Sequence, residues 1–318
     1  MKFGHHATKK GFTLVELSFA IAFISILLIT ITLITNEIVS IYRKGYSIKA
    51  VNQVGRDLID DFQNSITQSP PASTSSFCET FYSDSDVQEQ CKNNKGFFSV
   101  YQQYYTKVRV HGGSDTAKPV PTGGIFCSGK YTYIWNTGYL FNTEETYEFV
   151  EGSGDKTSDK QNALKLRLKY DAYESNSETH QKFASGNFRL AKIEDTSRAI
   201  CTATLKTESY PSTLTALAGP DNGNREITIP FQLPNDPEEL INSSDAALAL
   251  FDLVVFQPAR VTSTNRLLFS GSFILGTITG GVDIMATGDY CKAPTYFSAD
   301  YSYCAINKFN FTIQASGG

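Results

Sequence analysis

Apolar residues follow three patterns along this chain. From Leu17 to Asn36 no side chain is charged, and Ile24, Ile26, Leu27, Leu28, Ile29 and Ile31 leave no polar face. About 20 such residues, rising ~1.5 Å each, cross the ~30 Å hydrocarbon core of a bilayer. A span without water must satisfy its own backbone, so it is helical despite its β-branched residues. Beyond Tyr42 the apolar positions narrow to one stripe. Ile48, Val51, Val54, Leu58, Phe62 and Ile66 recur at intervals of three or four, the spacing of an amphipathic helix. Lys49, Asn52, Arg56, Asp57, Asp60, Asp61 and Gln63 fill the other face. No proline precedes Pro70, and the helix is predicted to end near Gln68, ahead of Pro70-Pro71 and a Ser/Thr run. The two patterns join into one helix of about 55 residues, ~80 Å long.

The third pattern begins at Pro70. Clusters of β-branched and aromatic residues between turn signals predict strands. They fall at Phe97–Tyr105, Lys130–Phe141, Ala163–Tyr170, Asn187–Ile193, Ala199–Leu205, Glu226–Gln232, Asp252–Val261, Arg266–Leu275, Gly281–Met285 and Lys308–Gln314. Leu164, Leu166 and Leu168 alternate with Lys165, Arg167 and Lys169, as in a strand with one dry face. Thr262-Ser263-Thr264-Asn265 divides two apolar runs as a hairpin turn. A short helix is expected over Pro237–Leu250, capped by Asp236. Loops are expected over Pro70–Ser76, Glu151–Gln161 and Pro211–Arg225. The predicted fold is α+β, with antiparallel strands packed on the outer half of the long helix.

Composition narrows the function. With 41% hydrophobic and 19% charged residues in 318, a packed core is expected and wholesale disorder is not. The net charge is −4; Lys2, Lys9 and Lys10 precede Gly11, so the chain beyond Gly11 carries −7. An acidic chain without clustered Lys and Arg predicts no specific nucleic-acid partner. The leading lysines place the N-terminus in the cytoplasm, against a weaker opposing signal from Arg43 and Lys44. Cys78, Cys91, Cys127, Cys201, Cys291 and Cys304 all follow the apolar span, which suggests an oxidising, extracytoplasmic setting. The simplest nested pairing is Cys78–Cys91, Cys127–Cys201 and Cys291–Cys304; buried free thiols are the alternative. No C-x-x-C occurs, and only His111 and His180 lie beyond the leader, so no zinc site is expected.

Catalytic motifs are absent. There is no G-x-S-x-G elbow and no H-E-x-x-H. Gly124-Ile-Phe-Cys-Ser-Gly129-Lys130-Tyr131 approaches a phosphate loop, but Tyr131 replaces the magnesium-binding Ser or Thr, and its glycines read as turn residues. Gly219-Pro220-Asp221-Asn222-Gly223-Asn224 offers oxygen ligands without the spacing of a calcium loop. The expectation is a protein that is not an enzyme and holds no metal or cofactor. Its 17 tyrosines suit packing in sheets or between subunits, with adhesive recognition as the sharper alternative.

One string carries more. Gly11-Phe12-Thr13-Leu14-Val15-Glu16-Leu17 follows the basic leader, and Glu16 is a costly lone carboxylate at the entrance of an apolar span. A cleaved secretory signal would have a shorter apolar core and a small-residue cut site behind it. An ordinary anchor accounts for neither Gly11 nor Glu16, unless Glu16 only snorkels to the interface. The string resembles the processing site of type IV prepilins and pseudopilins. That resemblance implies cleavage between Gly11 and Phe12 by a prepilin peptidase that also methylates Phe12. It implies that Glu16 meets the N-terminus of a neighbouring subunit, an attraction strong at low dielectric.

The family layout divides the chain into a leader (1–11), a transmembrane half-helix (12–36), an outer half-helix (37–69) and an extracytoplasmic β-rich head (70–318). Implied partners are other pilin subunits, the prepilin peptidase, and an inner-membrane assembly platform with cytoplasmic ATPases. The implied location is the cytoplasmic membrane, single pass with the N-terminus inside, then a surface or periplasmic filament. Length and cysteines favour a minor or large pilin. A pseudopilin of a type II secretion or DNA-uptake system, and an uncleaved surface adhesin, are the alternatives. Many pilins carry a helix-bending proline; here only Gly45 and Gly55 would soften the helix, by ~1 kcal/mol each.

Overall fold

The structure, a computed structural model, describes residues 11, 13–67, 85, 89, 99–110, 118–128, 130–141, 147–149, 157–170, 178–195, 200, 226–229, 236–241, 247–255, 259–261, 266–278, 282–283, 290–291 and 304–314. One helix, α1 (Leu14–Thr67), runs unbroken for 54 residues. Leu14 to Ile48 exposes its large apolar side chains on all sides, and α1 is long and apolar enough to cross a membrane. The hydroxyls between Leu17 and Asn36 are satisfied locally. Ser18 donates to Val15 O at 2.8 Å, Ser25 to Ile21 O at 2.8 Å, Thr32 to Leu28 O at 2.8 Å and Thr35 to Ile31 O at 2.8 Å. Such back-bonding removes the cost of carrying hydroxyls through oil.

The remainder contains strands β1 (Ser99–Val110), β2 (Lys118–Ser128), β3 (Tyr131–Asn136) and β4 (Tyr147–Phe149), with a 3-10 turn at Gly138–Phe141. Helix α2 (Thr157–Leu164), β5 (Arg167–Tyr170), helix α3 (Glu178–Ala184), β6 (Leu190–Glu194), β7 (Glu226–Ile229) and β8 (Glu238–Glu239) follow. Then come β9 (Leu248–Val255), β10 (Ala259–Val261), β11 (Arg266–Thr277), β12 (Val282–Asp283), β13 (Tyr290–Cys291) and β14 (Ile306–Gln314). The first sheet has the order β4-β1-β2-β3-β6-β8, and in the second β11 lies between β14 on one side and β9 and β10 on the other. Both are antiparallel; a separate two-stranded pair, β5 with β7, is parallel. The molecule is α+β.

One core joins the helix to both sheets. Val51, Leu58, Phe62 and Ile66 of α1 pack with Phe126, Tyr133 and Trp135 of the first sheet and with Leu253, Phe273, Phe311 and Ile313 of the second. Phe62 is fully buried at the centre, its ring 5.1 Å from Tyr133, 5.7 Å from Phe311 and 6.0 Å from both Phe126 and Phe273. Asn136 ties the parallel pair to the first sheet: its amide donates to Leu166 O, Gly186 O and Phe188 O, and its Oδ1 accepts from Leu166 N at 2.8 Å.

Several expectations change. The helix predicted over Pro237–Leu250 is replaced by β8, a bend at Leu240-Ile241 and the start of β9. Tertiary bonds override the cap-like Asp236: Glu239 takes Lys182 and the Arg189 N–H, and Leu240 N donates to Leu190 O at 2.9 Å. Helix α2 occupies part of the expected loop Glu151–Gln161 and shortens the expected strand Ala163–Tyr170 to β5. Leu166 and Leu168 are buried as predicted, but Lys165 is buried with them, its ammonium held by Asn162 and Asn187 Oδ1 at 3.0 Å each. Gly124 is no turn residue; it lies within β2 between Gln103 and Trp135. Of the expected strand Ala199–Leu205 only Ile200 is described, and it is helical. The loops Pro70–Ser76 and Pro211–Arg225, with the oxygen-rich stretch of the latter, lie outside the described residues. So do the turn residues Thr262–Asn265, though β10 and β11 beside them pair as a hairpin.

Candidate functional site

Two places on α1 gather the polar chemistry. The first is its amino end. Thr13 stands just outside the helix, and Leu17 N donates to its carbonyl at 3.2 Å. The Thr13 backbone N–H donates to Glu16 Oε2 at 2.9 Å, and the Thr13 hydroxyl donates to the same oxygen at 3.0 Å. In return Glu16 N–H donates to Thr13 Oγ1 at 3.3 Å. This is a capping box, in which residues three apart satisfy each other's orphan donors. Both Thr13 donors fall on Oε2, and Oε1 takes neither. Thr13 is the functional residue that sequence reading passed over; the signal was the T-x-x-E spacing ahead of an apolar run. Gly11 is exposed, and a Cβ built there meets nothing within 4 Å. Among the described residues nothing crowds that position. Phe12 lies outside the described residues.

The second place is where α1 meets the head. Asp61 turns its carboxylate toward the first sheet, where the Tyr133 hydroxyl donates to Oδ2 at 2.8 Å and Lys192 forms an ion pair with Oδ1. Lys192 also lies over the Tyr131 ring, 4.4 Å from its centroid. Burial first, and then the charge of Asp61, push the Tyr133 hydroxyl pKa well above its ordinary value. Ser65 donates to Ser128 O at 3.2 Å, and Asn307 to Asn52 Oδ1 at 2.8 Å. Gly55 also has a packing role: a Cβ there would stand 2.2 Å from the Phe309 ring. Its glycine allows the helix to lie against β14, whereas Gly45 has open space around it.

Of the six cysteines, Cys127 and Cys304 are disulfide-bonded. Cys127 lies in β2, and Cys304 is buried beside Val120, Tyr139, Leu140, Phe251 and Ile274. Cys291 ends β13. Cys78, Cys91 and Cys201, and with them the expected pairs Cys78–Cys91 and Cys127–Cys201, lie outside the described residues, and of Cys291, expected to pair with Cys304, only the backbone is described. Among the described residues no group of three or more His, Cys, Asp or Glu side chains is arranged to hold a metal ion.

No protein-family model matches this chain, and neither a curated protein nor a solved structure matches it.

Proposed function

We propose that this chain is a pilin-like structural subunit of a bacterial type IV pilus, of the minor or large kind. Its leader is removed after Gly11, and the mature chain enters a filament by packing of α1 with other pilin subunits. The observation that carries this reading is the continuity of α1. A single helix begins at the G-F-T-L-V-E string, is apolar and exposed over its first half, and is seated in a β-rich head over its second. The open space around Gly11 among the described residues supports the same reading, because no close packing there accounts for a glycine and cleavage by a peptidase would. Glu16 is already held at the helix start by Thr13 through one oxygen, which leaves the other for a neighbour's amine.

Mass spectrometry of the chain from the membrane of its own host tests the proposal. The expected N-terminus is N-methylated Phe12, and Gly11→Val leaves the leader in place. An intact Met1, or a cut beyond Asn36, overturns the reading. Glu16→Leu is expected to be cleaved normally and to fail in assembly; normal filament incorporation would remove the role given to its charge.

A further inference from the structure

Three cations gather beside the 3-10 turn, and among the described residues no carboxylate is bound to any of them. The Lys165 ammonium lies 4.9 Å from the centroid of the Phe141 ring, and the Arg189 guanidinium carbon lies 5.5 Å from the same centroid. Arg167 joins them through Gly186, which has a φ of 74°. A Cβ at Gly186 would stand 2.9 Å from Lys165 Cβ and 3.4 Å from Arg167 Cγ, so the glycine lets the turn after α3 close over both. Lys165 is only 6% exposed, and its ammonium is held by two neutral oxygens, Asn162 Oδ1 and Asn187 Oδ1, at 3.0 Å each. Burial first, and then the charge of Arg167, lower its pKa. A buried ammonium without a counter-charge is costly to keep.

Arg189 is half-buried, and its side chain makes no hydrogen bond or ion pair among the described residues. Its Nε is fully buried without a partner. Glu239 does not neutralise it: Oε1 accepts the Arg189 backbone N–H at 3.1 Å, and Oε2 is paired with Lys182. Arg167 donates one Nη to Asn162 O at 2.9 Å, again a neutral oxygen. A single carboxylate would offset one of these three charges. A phosphate monoester carries about −1.5 to −2 at neutral pH and three acceptor oxygens. Its geometry suits the guanidinium fork, and an ammonium serves it as a point charge. We propose that Lys165, Arg167 and Arg189 form a binding site for a phosphate dianion, free or as a monoester. Arg189 holds two of its oxygens, Lys165 supplies its remaining donor, and Arg167 adds charge from the side. The site does not depend on the filament reading.

Calorimetric titration of the full chain in detergent, at matched ionic strength, tests the site with inorganic phosphate, glycerol 3-phosphate and acetate. Both phosphates are expected to saturate one site, and acetate is not. Tighter binding of glycerol 3-phosphate assigns the site to an ester, and equal or weaker binding assigns it to free phosphate; both results uphold it. R189Q is expected to lower phosphate affinity about tenfold or more, the loss of a charge-assisted hydrogen bond. R189K keeps the charge without the fork and is expected to lose less. Trp135 fluorescence reports whether each variant is folded, and R189Q, at a half-buried position, keeps the test open if K165Q does not fold. K130Q, whose lysine pairs with Glu194, is expected to leave the affinity unchanged. Glu144 and Glu145 follow Phe141 by three and four residues in the sequence. Phosphate binding to E144Q/E145Q but not to the parent would mean that the chain fills the site itself, and overturns the proposal. Equal binding of acetate, no saturable binding of phosphate to either chain, an unchanged affinity in folded R189Q, or an equal loss in K130Q overturns it as well.

Discussion

The Glu16 carboxylate uses one of its two oxygens at the helix start. Oε2 closes the capping box with Thr13, and Oε1 takes neither of the Thr13 bonds. The box matters because it begins an apolar helix, where an orphan N–H has few alternatives. Thr13→Val removes the hydroxyl that serves both as donor to Glu16 and as acceptor for its N–H. Losing an N-cap costs about 1 kcal/mol, so amide exchange at Glu16 and Leu17 in micelles should quicken about fivefold. Unchanged exchange would mean that the box does not hold the helix start. The two helix glycines make a second contrast at this scale. Gly55→Ala drives a methyl group into Phe309 and is expected to lower stability by about 1–3 kcal/mol. Gly45→Ala meets nothing and should raise helix stability by up to ~1 kcal/mol. Thermal unfolding of the full chain in detergent separates the two by sign.

Among the elements, the contact between α1 and the first sheet is the most demanding. Asp61 and Lys192 are 131 positions apart in sequence, and their side chains are only 22% and 15% exposed. Asp61→Ala leaves the Tyr133 hydroxyl without its acceptor and Lys192 without its counter-charge, at an expected cost of about 2–4 kcal/mol in urea unfolding. A loss below ~0.5 kcal/mol would place the seat of the helix in its apolar stripe alone. Tyr133 adds a pH dependence. Its pKa is raised in the folded state, so the folded chain keeps the proton that an unfolded tyrosine releases near ~10. Its contribution is intact below that pH and is lost as pH rises further, by up to ~1.4 kcal/mol per pH unit. Tyr133→Phe should flatten that alkaline decline while lowering neutral stability by about 1 kcal/mol.

The same scale explains what the sequence disclosed. α1 was legible because an apolar run and then a single apolar stripe continue for many turns without a proline. Glu16 stood out as a carboxylate at the entrance of an apolar run, whereas its capping partner Thr13 did not. β2 was hidden by Pro119 and Pro121, which would forbid a central strand. They are tolerated because β2 pairs with β3 only from Gly123 to Ser128, so the prolines lie where one edge makes no such bonds. Helices α2 and α3 are only 8 and 7 residues long, too short for periodicity to show. Asp61 read as one charge on a solvated face, because nothing local distinguishes it from the exposed Asp57 and Asp60; its partner is supplied by the fold.

At the scale of the whole molecule, the helix acts as the shared wall of two sheets. Phe62 touches aromatic rings from both, and Trp135, the sole tryptophan, is fully buried in the same core. A head divided into two independent sheets would unfold in two steps, whereas one core shared through a helix should unfold in one. Trp135 fluorescence reports the first sheet, and amide exchange in β14 reports the second. Their urea midpoints in the full chain are expected to coincide. Phe62→Ala should shift both together by about 3–5 kcal/mol, a large share of the ~5–15 kcal/mol that holds a typical domain folded. Phe62→Leu, which keeps most of the volume, should shift both by less than about 1.5 kcal/mol. Separate midpoints in the parent chain, or a Phe62→Ala effect confined to one probe, would show that α1 lies on one sheet rather than joining two. A helix that joins two sheets cannot be withdrawn without exposing both inner faces. Force applied to the apolar half of α1 would then be borne by the whole head at once.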